Sequence, residues 1–268
     1  MSYTKDITAP GGADSSFMES PGIHVVLKAE TIGSLFGLTL TNSLLMTWVV
    51  MVVLIAFALI FRRKIALIPG KFQAGIEWMF EGVLDYMTET LESRPYAVRF
   101  FPLVMTIFLF VLVGNEFAFI PGVGSVGFHT EEGFTPLLRA PGADLNFTLA
   151  LAFIAFFTIE ITGLAALGFW KYGGKYINLK SPVGFVVGII EILSNLGRIV
   201  SFSFRLFGNI FAGEVMILVA GFFVAYLLPV PLMAFEVFVG FIQAVVFAML
   251  TLFFIKLAIM EPHGEEAH

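Results

Sequence analysis

Five long apolar segments alternate with polar ones along the 268-residue chain. They cover residues 43–61, 100–120, 147–170, 182–228 and 232–259. A helix that crosses the hydrocarbon core of a membrane needs about 20 predominantly apolar residues. Each segment meets that length, so the pattern predicts an all-α integral membrane protein with about five membrane-embedded helices.

A sixth helix, amphipathic and interfacial, is predicted between the first two apolar segments, starting after Pro69 and Gly70. Its apolar residues recur every three or four positions, which is the helical period. They are Phe72, Ile76, Met79, Phe80, Val83, Leu84, Met87 and Leu91, while Glu77, Glu81, Asp85, Glu89 and Glu92 occupy the other side. Because an acidic face does not favour anionic lipid, we expect the apolar stripe to meet a protein partner.

The fourth apolar segment is too long for an upright helix. Residues 183–228 would form a helix of about 69 Å. The hydrocarbon core is about 30 Å thick, and ordinary tilts reach about 40°. Two alternatives remain open: the helix lies nearly flat in the membrane, or it breaks at Gly208 and Asn209 into a re-entrant hairpin.

The composition excludes several classes of function. Charged residues make up 13% of the chain, against about 25% in a soluble domain. No cysteine is available for disulfides or thiol chemistry, and no basic stripe suggests binding to nucleic acid. The four histidines lack the spacing of metal ligands, and no phosphate-binding loop is present. We expect no metal, no cofactor and no ATP hydrolysis by this chain alone.

Lysine and arginine are concentrated in alternate loops, which predicts the orientation in the membrane. One side holds Arg62, Arg63, Lys64, Lys71, Arg94, Arg99, Lys171, Lys175 and Lys180. The other side holds Arg139, besides Lys5 and Lys28 near the N-terminus. Basic loops stay in the cytoplasm. We therefore expect an outer-side arm over residues 1–40, one membrane domain over 41–260 and an inner-side tail over 261–268.

The fourth segment contains charges that an apolar helix does not need. Glu191, Arg198, Arg205 and Glu214 lie in it, with Asn195 and Asn209. A charge at the bilayer centre costs at least about 2.5–3.5 kcal/mol, so several must be paired, hydrated or functional. Glu191 and Arg198 could instead extend to the membrane surface. Arg205 has more than 20 residues of the segment on either side, which predicts a functional cation.

The spacing of these residues predicts two polar walls. Glu191, Arg198 and Arg205 are seven apart and share one face, and Asn209 follows Arg205 by four. Glu214 follows Arg205 by nine, so at about 100° per residue it points the opposite way. An Arg205–Glu214 ion pair within the helix is therefore not expected. Two polar walls on one helix suggest two unconnected aqueous routes.

Polar residues in the other segments extend the candidate path. Glu236 and Gln243 are seven apart on the last helix, although Gln243 could simply bond a neighbouring helix and Glu236 could lie at the membrane surface. Glu160 in the third segment is a further candidate. Asn115 and Glu116 are weaker ones, because we expect them close to the outer surface.

One motif resembles a known family. Residues 203–214 read SFRLFGNIFAGE, and R-L-F-G-N-x-x-A-G-E resembles the central signature of subunit a of F-type ATP synthases. Residues 69–73, the D-x-N-x-T pattern at 144–148 and residues 243–251 resemble further parts of that family. The likeness covers roughly residues 40 to 260.

The resemblance implies a stator proton channel with two offset half-channels, which load and unload carboxylates on a ring of c subunits. It implies that Arg205 is essential and faces the ring carboxylate. Glu214, Glu236 and Gln243 match positions that line or adjoin the outer half-channel, although many members have His where this chain has Glu236. We also count Asn209 in the path.

The same resemblance implies that the last two helices are long and strongly tilted. Its implied partners are the c ring, the peripheral-stalk b subunits, the rest of the complex and membrane lipid. The implied location is a bacterial inner membrane, with the N-terminus outside and the C-terminus in the cytoplasm.

Two other functions compete with this interpretation. A secondary ion-coupled transporter would have a discontinuous fourth helix and internal repeats, but no repeats are found. A membrane scaffold would leave Arg205 unexplained.

The predicted orientation can be tested with single cysteines, since the chain has none of its own. Ser93→Cys and Ser125→Cys should react with an impermeant thiol reagent from opposite sides of the membrane. Labelling of both from one side would contradict the five-crossing topology.

Overall fold

The computed structural model describes residues 29–35, 37–120, 123, 126–130, 133–176, 182–224 and 227–260. Its helices are α1 (Asn42–Lys64), α2 (Lys71–Leu91), α3 (Arg94–Glu116), α4 (Leu145–Leu167), α5 (Phe169–Tyr176), α6 (Pro182–Phe223) and α7 (Pro229–Ile259). Its strands are β1 (Thr31–Leu35), β2 (Leu38–Thr41), β3 (Gly127–Thr130) and β4 (Gly133–Pro136).

Local signals in the sequence fix several helix ends. The Thr41 hydroxyl accepts a hydrogen bond from the backbone N–H of Leu44 at 3.2 Å, which caps α1. The Asp144 carboxylate caps α4 in the same way through the N–H of Asn146 at 2.9 Å. Prolines occupy the first turns of α3 and α7, where their missing N–H has no intrahelical role.

Five of the helices are long and apolar enough to span a membrane: α1, α3, α4, α6 and α7. The prediction of an all-α integral membrane protein with five such helices is confirmed. The amphipathic helix is confirmed as α2. The sequence pattern did not predict α5.

The fourth apolar segment forms one continuous helix. α6 runs through Gly208 and Asn209 without interruption over 42 residues, a length of about 63 Å. The re-entrant hairpin is therefore wrong, and the alternative of one long helix is correct. Because about 63 Å far exceeds a hydrocarbon core of about 30 Å, the helix has to be strongly inclined to remain within it.

Two antiparallel hairpins, β1–β2 and β3–β4, mark one end of the helix bundle, which we call the hairpin end. The Asn42 side-chain amide at the start of α1 donates to the carbonyl oxygen of Pro136 at 3.4 Å, so the two hairpins lie near each other. Residues 31–35 and 38–40 of the predicted arm thus belong to a hairpin with Thr41. Residues 1–28 and 261–268 lie outside the described residues.

The bundle core is formed by α3, α4, α6 and α7. Val111, Phe202, Leu206, Ile210 and Phe247 are among its buried side chains. Phe202 and Phe247 have ring centroids 4.9 Å apart. This apolar centre holds the two longest helices against the rest of the chain.

At the opposite end of the bundle, α2 packs against α3 and α7. Met87 and Leu91 from its apolar stripe are buried there, so part of the expected protein partner is this chain itself. Phe72 and Trp78 remain exposed. The Lys256 ammonium donates to Glu92 at 2.8 Å, and this hydrogen bond lowers the pKa of the Glu92 carboxyl group.

Candidate functional site

Arg205 lies near the middle of α6 with its side chain exposed on the surface of the bundle. Its Nη2 donates to the hydroxyl of Ser201, one turn earlier, at 3.3 Å. Among the described residues no carboxylate forms an ion pair with it. Arg205 is therefore a membrane-embedded cation whose charge this part of the chain does not neutralise.

Four polar side chains form a hydrogen-bonded group near the α5 end of α6, which we call the tyrosine cluster: Glu160, Tyr172, Tyr176 and Asn195. The hydroxyls of Tyr172 and Tyr176 donate to Glu160 Oε2 at 3.0 Å and 2.8 Å. The Asn195 amide donates to the hydroxyl of Tyr176 at 2.7 Å. Glu160, a candidate from the sequence, thus lies within hydrogen-bond reach of α6.

Both tyrosines act as hydrogen-bond donors in this cluster. Burial raises the pKa of the Tyr172 hydroxyl and of the Tyr176 hydroxyl, so both stay protonated. The Tyr172 ring packs so closely on α4 that a Cβ on Gly163 would overlap it. The absence of a side chain at Gly163 thereby allows the tyrosine to reach Glu160.

Glu191 and Arg198 pair with each other at 3.4 Å, with side chains only 23% and 15% exposed. The Arg198 guanidinium also lies 4.7 Å from the ring centroid of Phe254. The two charges therefore pair along α6, and Arg198 also packs against α7.

Glu214 lies near the hairpin end of α6 and pairs with Arg139. The Arg139 Nη2 donates to Glu214 Oε2 at 3.0 Å, and its Nε donates to Glu214 Oε1 at 3.2 Å. The expectation that Arg205 and Glu214 do not pair is met, because each has a different partner. Arg139, which the sequence analysis used only for orientation, is a further residue of the site.

Glu236 on α7 packs directly against Gly213 of α6. Its side chain is 3% exposed, and its Oε2 has no hydrogen-bond partner in the described structure. A Cβ on Gly213 would overlap the Glu236 carboxyl group. A glycine on the facing helix therefore makes room for the Glu236 carboxyl group inside the bundle.

Asn115 and Glu116 at the end of α3 meet α7 one turn beyond Glu236. The Asn115 amide, 2% exposed, donates to the carbonyl oxygen of Gly240 at 3.2 Å. Glu116 Oε1 is buried without a described partner. Asn115 is therefore buried between α3 and α7.

Gln243 and Asn209 are half-buried, and neither side chain makes a hydrogen bond to another described residue. The structure therefore does not join them to the other candidates through direct bonds. The helix-to-helix hydrogen bond considered for Gln243 is not formed within the described chain.

The two polar regions are separated along α6 by buried apolar side chains. Asn195 precedes Arg205 by ten residues and Glu214 follows it by nine, distances of about 15 Å and 13 Å along the axis. Phe202, Leu206 and Ile210 fill the inner face between them. The buried polar pair in this stretch, Thr148 and Ser203, bond each other at 3.1 Å.

Comparison with known proteins identifies the family of the chain. The family model for the ATP synthase A chain matches residues 44–256. The chain belongs to this family. It is 34% identical to ATP synthase subunit a 1 of Pelobacter propionicus over 221 residues, covering 81% of this chain and 87% of that one. It is 35% identical to ATP synthase subunit a of Campylobacter jejuni over 218 residues, covering 80% and 88%.

Membership of the ATP synthase A chain family makes the chain a multi-pass membrane subunit of the ATP synthase complex, with a part in proton transport. The resemblance drawn from the motif at 203–214 is thereby confirmed.

Arg139, Tyr172 and Tyr176 are residues of these polar groups that were not predicted from the sequence. Arg139 had one available signal, since it stands apart from the basic loops as an isolated cation. The tyrosines had none, because nothing in the sequence relates α5 to Glu160 across the end of α4.

The contact between Gly213 and Glu236 predicts a stability defect in Gly213→Ala. Alanine normally stabilises a helix by about 0.5–1 kcal/mol relative to glycine. Here its methyl group would overlap the carboxyl end of the Glu236 side chain, which has to move within the bundle. The purified Gly213→Ala chain in detergent should therefore melt at a lower temperature than the Gly208→Ala chain, by about 2–4 °C for each kcal/mol of lost stability.

Gly208→Ala in the same helix is the matched control, because a Cβ there meets open space. It should leave the melting temperature unchanged or raise it. Equal melting temperatures for the two variants would contradict the packing of Glu236 on Gly213.

Proposed function

We propose that the chain is the stator proton channel of a rotary ATP synthase, with two offset half-channels and Arg205 between them. One half-channel would open at the hairpin end and the other at the tyrosine cluster. Each would give ions access to carboxylates on a rotating ring of c subunits.

The observation that carries this proposal is the exposed, unneutralised charge of Arg205. A charge near the bilayer centre costs at least about 2.5–3.5 kcal/mol. No described carboxylate of this chain forms an ion pair with it, whereas Glu191, Arg198 and Glu214 on the same helix have ion-pair partners. A carboxylate on another chain that passes along α6 would supply the missing partner.

The positions of the polar groups support two separate routes. Glu214, Glu236, Asn115 and Glu116 lie toward the hairpin end, and the tyrosine cluster lies toward the α5 end. The residues buried between these two groups are mainly apolar, so they form no continuous polar path for water. An ion that enters by one route therefore needs a moving carrier to reach the other.

The mechanism follows from the cost of a bare carboxylate in hydrocarbon. A ring carboxylate would take up a proton from the hairpin-end route, become neutral and turn through lipid. On returning to Arg205 it would meet a positive charge, which favours the ionised form and releases the proton toward the tyrosine cluster. Arginine suits this role because it stays charged even when desolvated.

Orientation is part of the proposal. The hairpin end would face the outside of a bacterial inner membrane, and the tyrosine cluster would face the cytoplasm, as the distribution of basic loops predicts. The peripheral-stalk b subunits would contact the rest of the surface, where Phe72 and Trp78 of α2 are exposed.

The alternative of a secondary transporter predicted a discontinuous fourth helix, and α6 is continuous. A transporter would also move ions without other subunits, whereas a stator channel needs its ring of c subunits. The purified chain in liposomes should therefore show no coupled ion flux. Ion transport by the chain alone would favour the transporter.

Glu214→Gln should slow ATP-driven proton pumping in membrane vesicles without making them passively leaky. The reason is that Glu214 points away from Arg205 and contributes to ion access, while the barrier at Arg205 stays intact. A passive leak in this variant would show that Glu214 belongs to the barrier.

Arg205→Ala should abolish ATP synthesis and ATP-driven pumping while the complex still assembles. Passive proton conduction should persist or rise after the catalytic head is stripped from the vesicles, because the charge barrier is lost. Arg205→Lys should also be severely impaired, since a compact ammonium desolvates poorly and its pKa shifts readily.

Arg94→Ala is the control, because Arg94 pairs with Asp85 at an exposed surface where both side chains are about 60% accessible. It should pump normally. Near-normal pumping by an assembled Arg205→Ala complex would refute the role proposed for Arg205.

A further inference from the structure

Arg139 forms a bidentate ion pair with Glu214, and the loop that carries Arg139 packs closely against the helices. Its Nε donates to Oε1 at 3.2 Å, and its Nη2 donates to Oε2 at 3.0 Å. Both carboxylate oxygens are therefore engaged. The two residues lie 75 positions apart in sequence, so the contact joins the loop before α4 to the hairpin end of α6.

The arginine is the fixed member of the pair. Its side chain is 9% exposed, whereas that of Glu214 is 43% exposed. Arg139 is followed by the buried segment Pro141–Ala143, which contacts α1, α3, α4 and α6. A Cβ on Gly142 would lie 3.0 Å from Ile210, so this segment fits closely against α6 one turn before Glu214.

We propose that Arg139 is a positioning residue of the hairpin-end route, which holds the Glu214 carboxylate in one orientation at the mouth of that route. This rests on the proposed function, in which Glu214 serves ion access. A free glutamate on a helix surface samples several rotamers, whereas a guanidinium fork fixes the plane of the carboxylate. The exposed side of the Glu214 carboxylate then stays open to water.

Chemistry separates the roles of the two residues. Guanidinium does not lose its proton in proteins, so Arg139 cannot itself relay protons and acts through Glu214. Other carboxyl groups on the surrounding elements are Asp144 before α4, Glu116 at the end of α3 and Glu236 on α7. Asp144 caps α4, and Glu236 packs on Gly213, so neither is bonded to Glu214 in the described structure.

The test is a double-mutant cycle in the complete ATP synthase, with ATP-driven proton pumping measured in membrane vesicles. Arg139→Gln and Glu214→Gln should each reduce the rate by about tenfold or more, since small misplacements of a reacting group cost that much. The double variant should pump no more slowly than Glu214→Gln alone, because Arg139 acts only through that carboxylate.

Arg139→Lys supplies a conservative comparison. It keeps the charge but replaces the fork with a point donor, so its rate should fall between those of the wild type and Arg139→Gln. In the Glu214→Gln background it should have no further effect. This second cycle decides the question even if Arg139→Gln does not assemble.

The exposed pair Arg94–Asp85 provides a matched control cycle, with Arg94→Gln, Asp85→Asn and the double variant. All three should pump normally, because an exposed ion pair contributes little. Copurification of the other subunits verifies assembly of every variant.

The outcomes distinguish the inference from the proposed function. Normal pumping by Arg139→Gln beside impaired pumping by Glu214→Gln overturns the positioning role alone. A double variant slower than Glu214→Gln by the whole factor of Arg139→Gln also overturns it, since the two residues would then act independently. Normal pumping by Glu214→Gln refutes the role of Glu214 and, with it, the positioning role.

Discussion

The arrangement of charges on α6 depends on one constraint: an ionised side chain inside a membrane must be neutralised or hydrated. Glu191 and Arg198 satisfy it by pairing with each other, and Glu214 satisfies it through Arg139. Among the described residues, the side chain of Arg205 has one hydrogen-bond partner, the hydroxyl of Ser201, and no ion-pair partner. The helix thus carries paired charges toward both ends and, at its centre, a cation that the described residues leave without an ion-pair partner.

Small residues decide which polar groups can enter the bundle. Gly213 leaves room for the Glu236 carboxyl group, and Gly163 leaves room for the ring of Tyr172, which reaches Glu160. Both glycines lie within helices, where they cost about 0.5–1 kcal/mol relative to alanine. The two glycines therefore serve the placement of polar side chains inside the bundle and not the stability of the helices.

The helices could be predicted because length and apolarity are local properties of the sequence, and the pattern located all five long ones. The continuity of α6 could not be predicted from the pattern, because a glycine such as Gly208 occurs both within helices and where helices are interrupted. The short strands of the hairpins have no periodicity strong enough to detect. Helical spacing correctly separated Arg205 from Glu214, but it relates residues within one helix only. The Arg139–Glu214 contact joins positions 75 apart, and no pattern within a segment reports on it.

This limit bears on how isolated charges in membrane proteins are interpreted. Arg139 lies in a loop, and the distribution of basic residues among loops predicts the orientation of the chain in the membrane. That rule treats every basic loop residue as exposed. The 9% exposed side chain of Arg139 shows that a loop cation can instead fold back onto a helix and engage a carboxylate there. Burial of such a cation is costly unless its partner is well placed, because the lost hydration of a buried charge is offset only by an ion pair with good geometry. The forked contact with Glu214 meets that condition, and it gives the end of α6 a fixed acidic group where a mobile one would otherwise be expected.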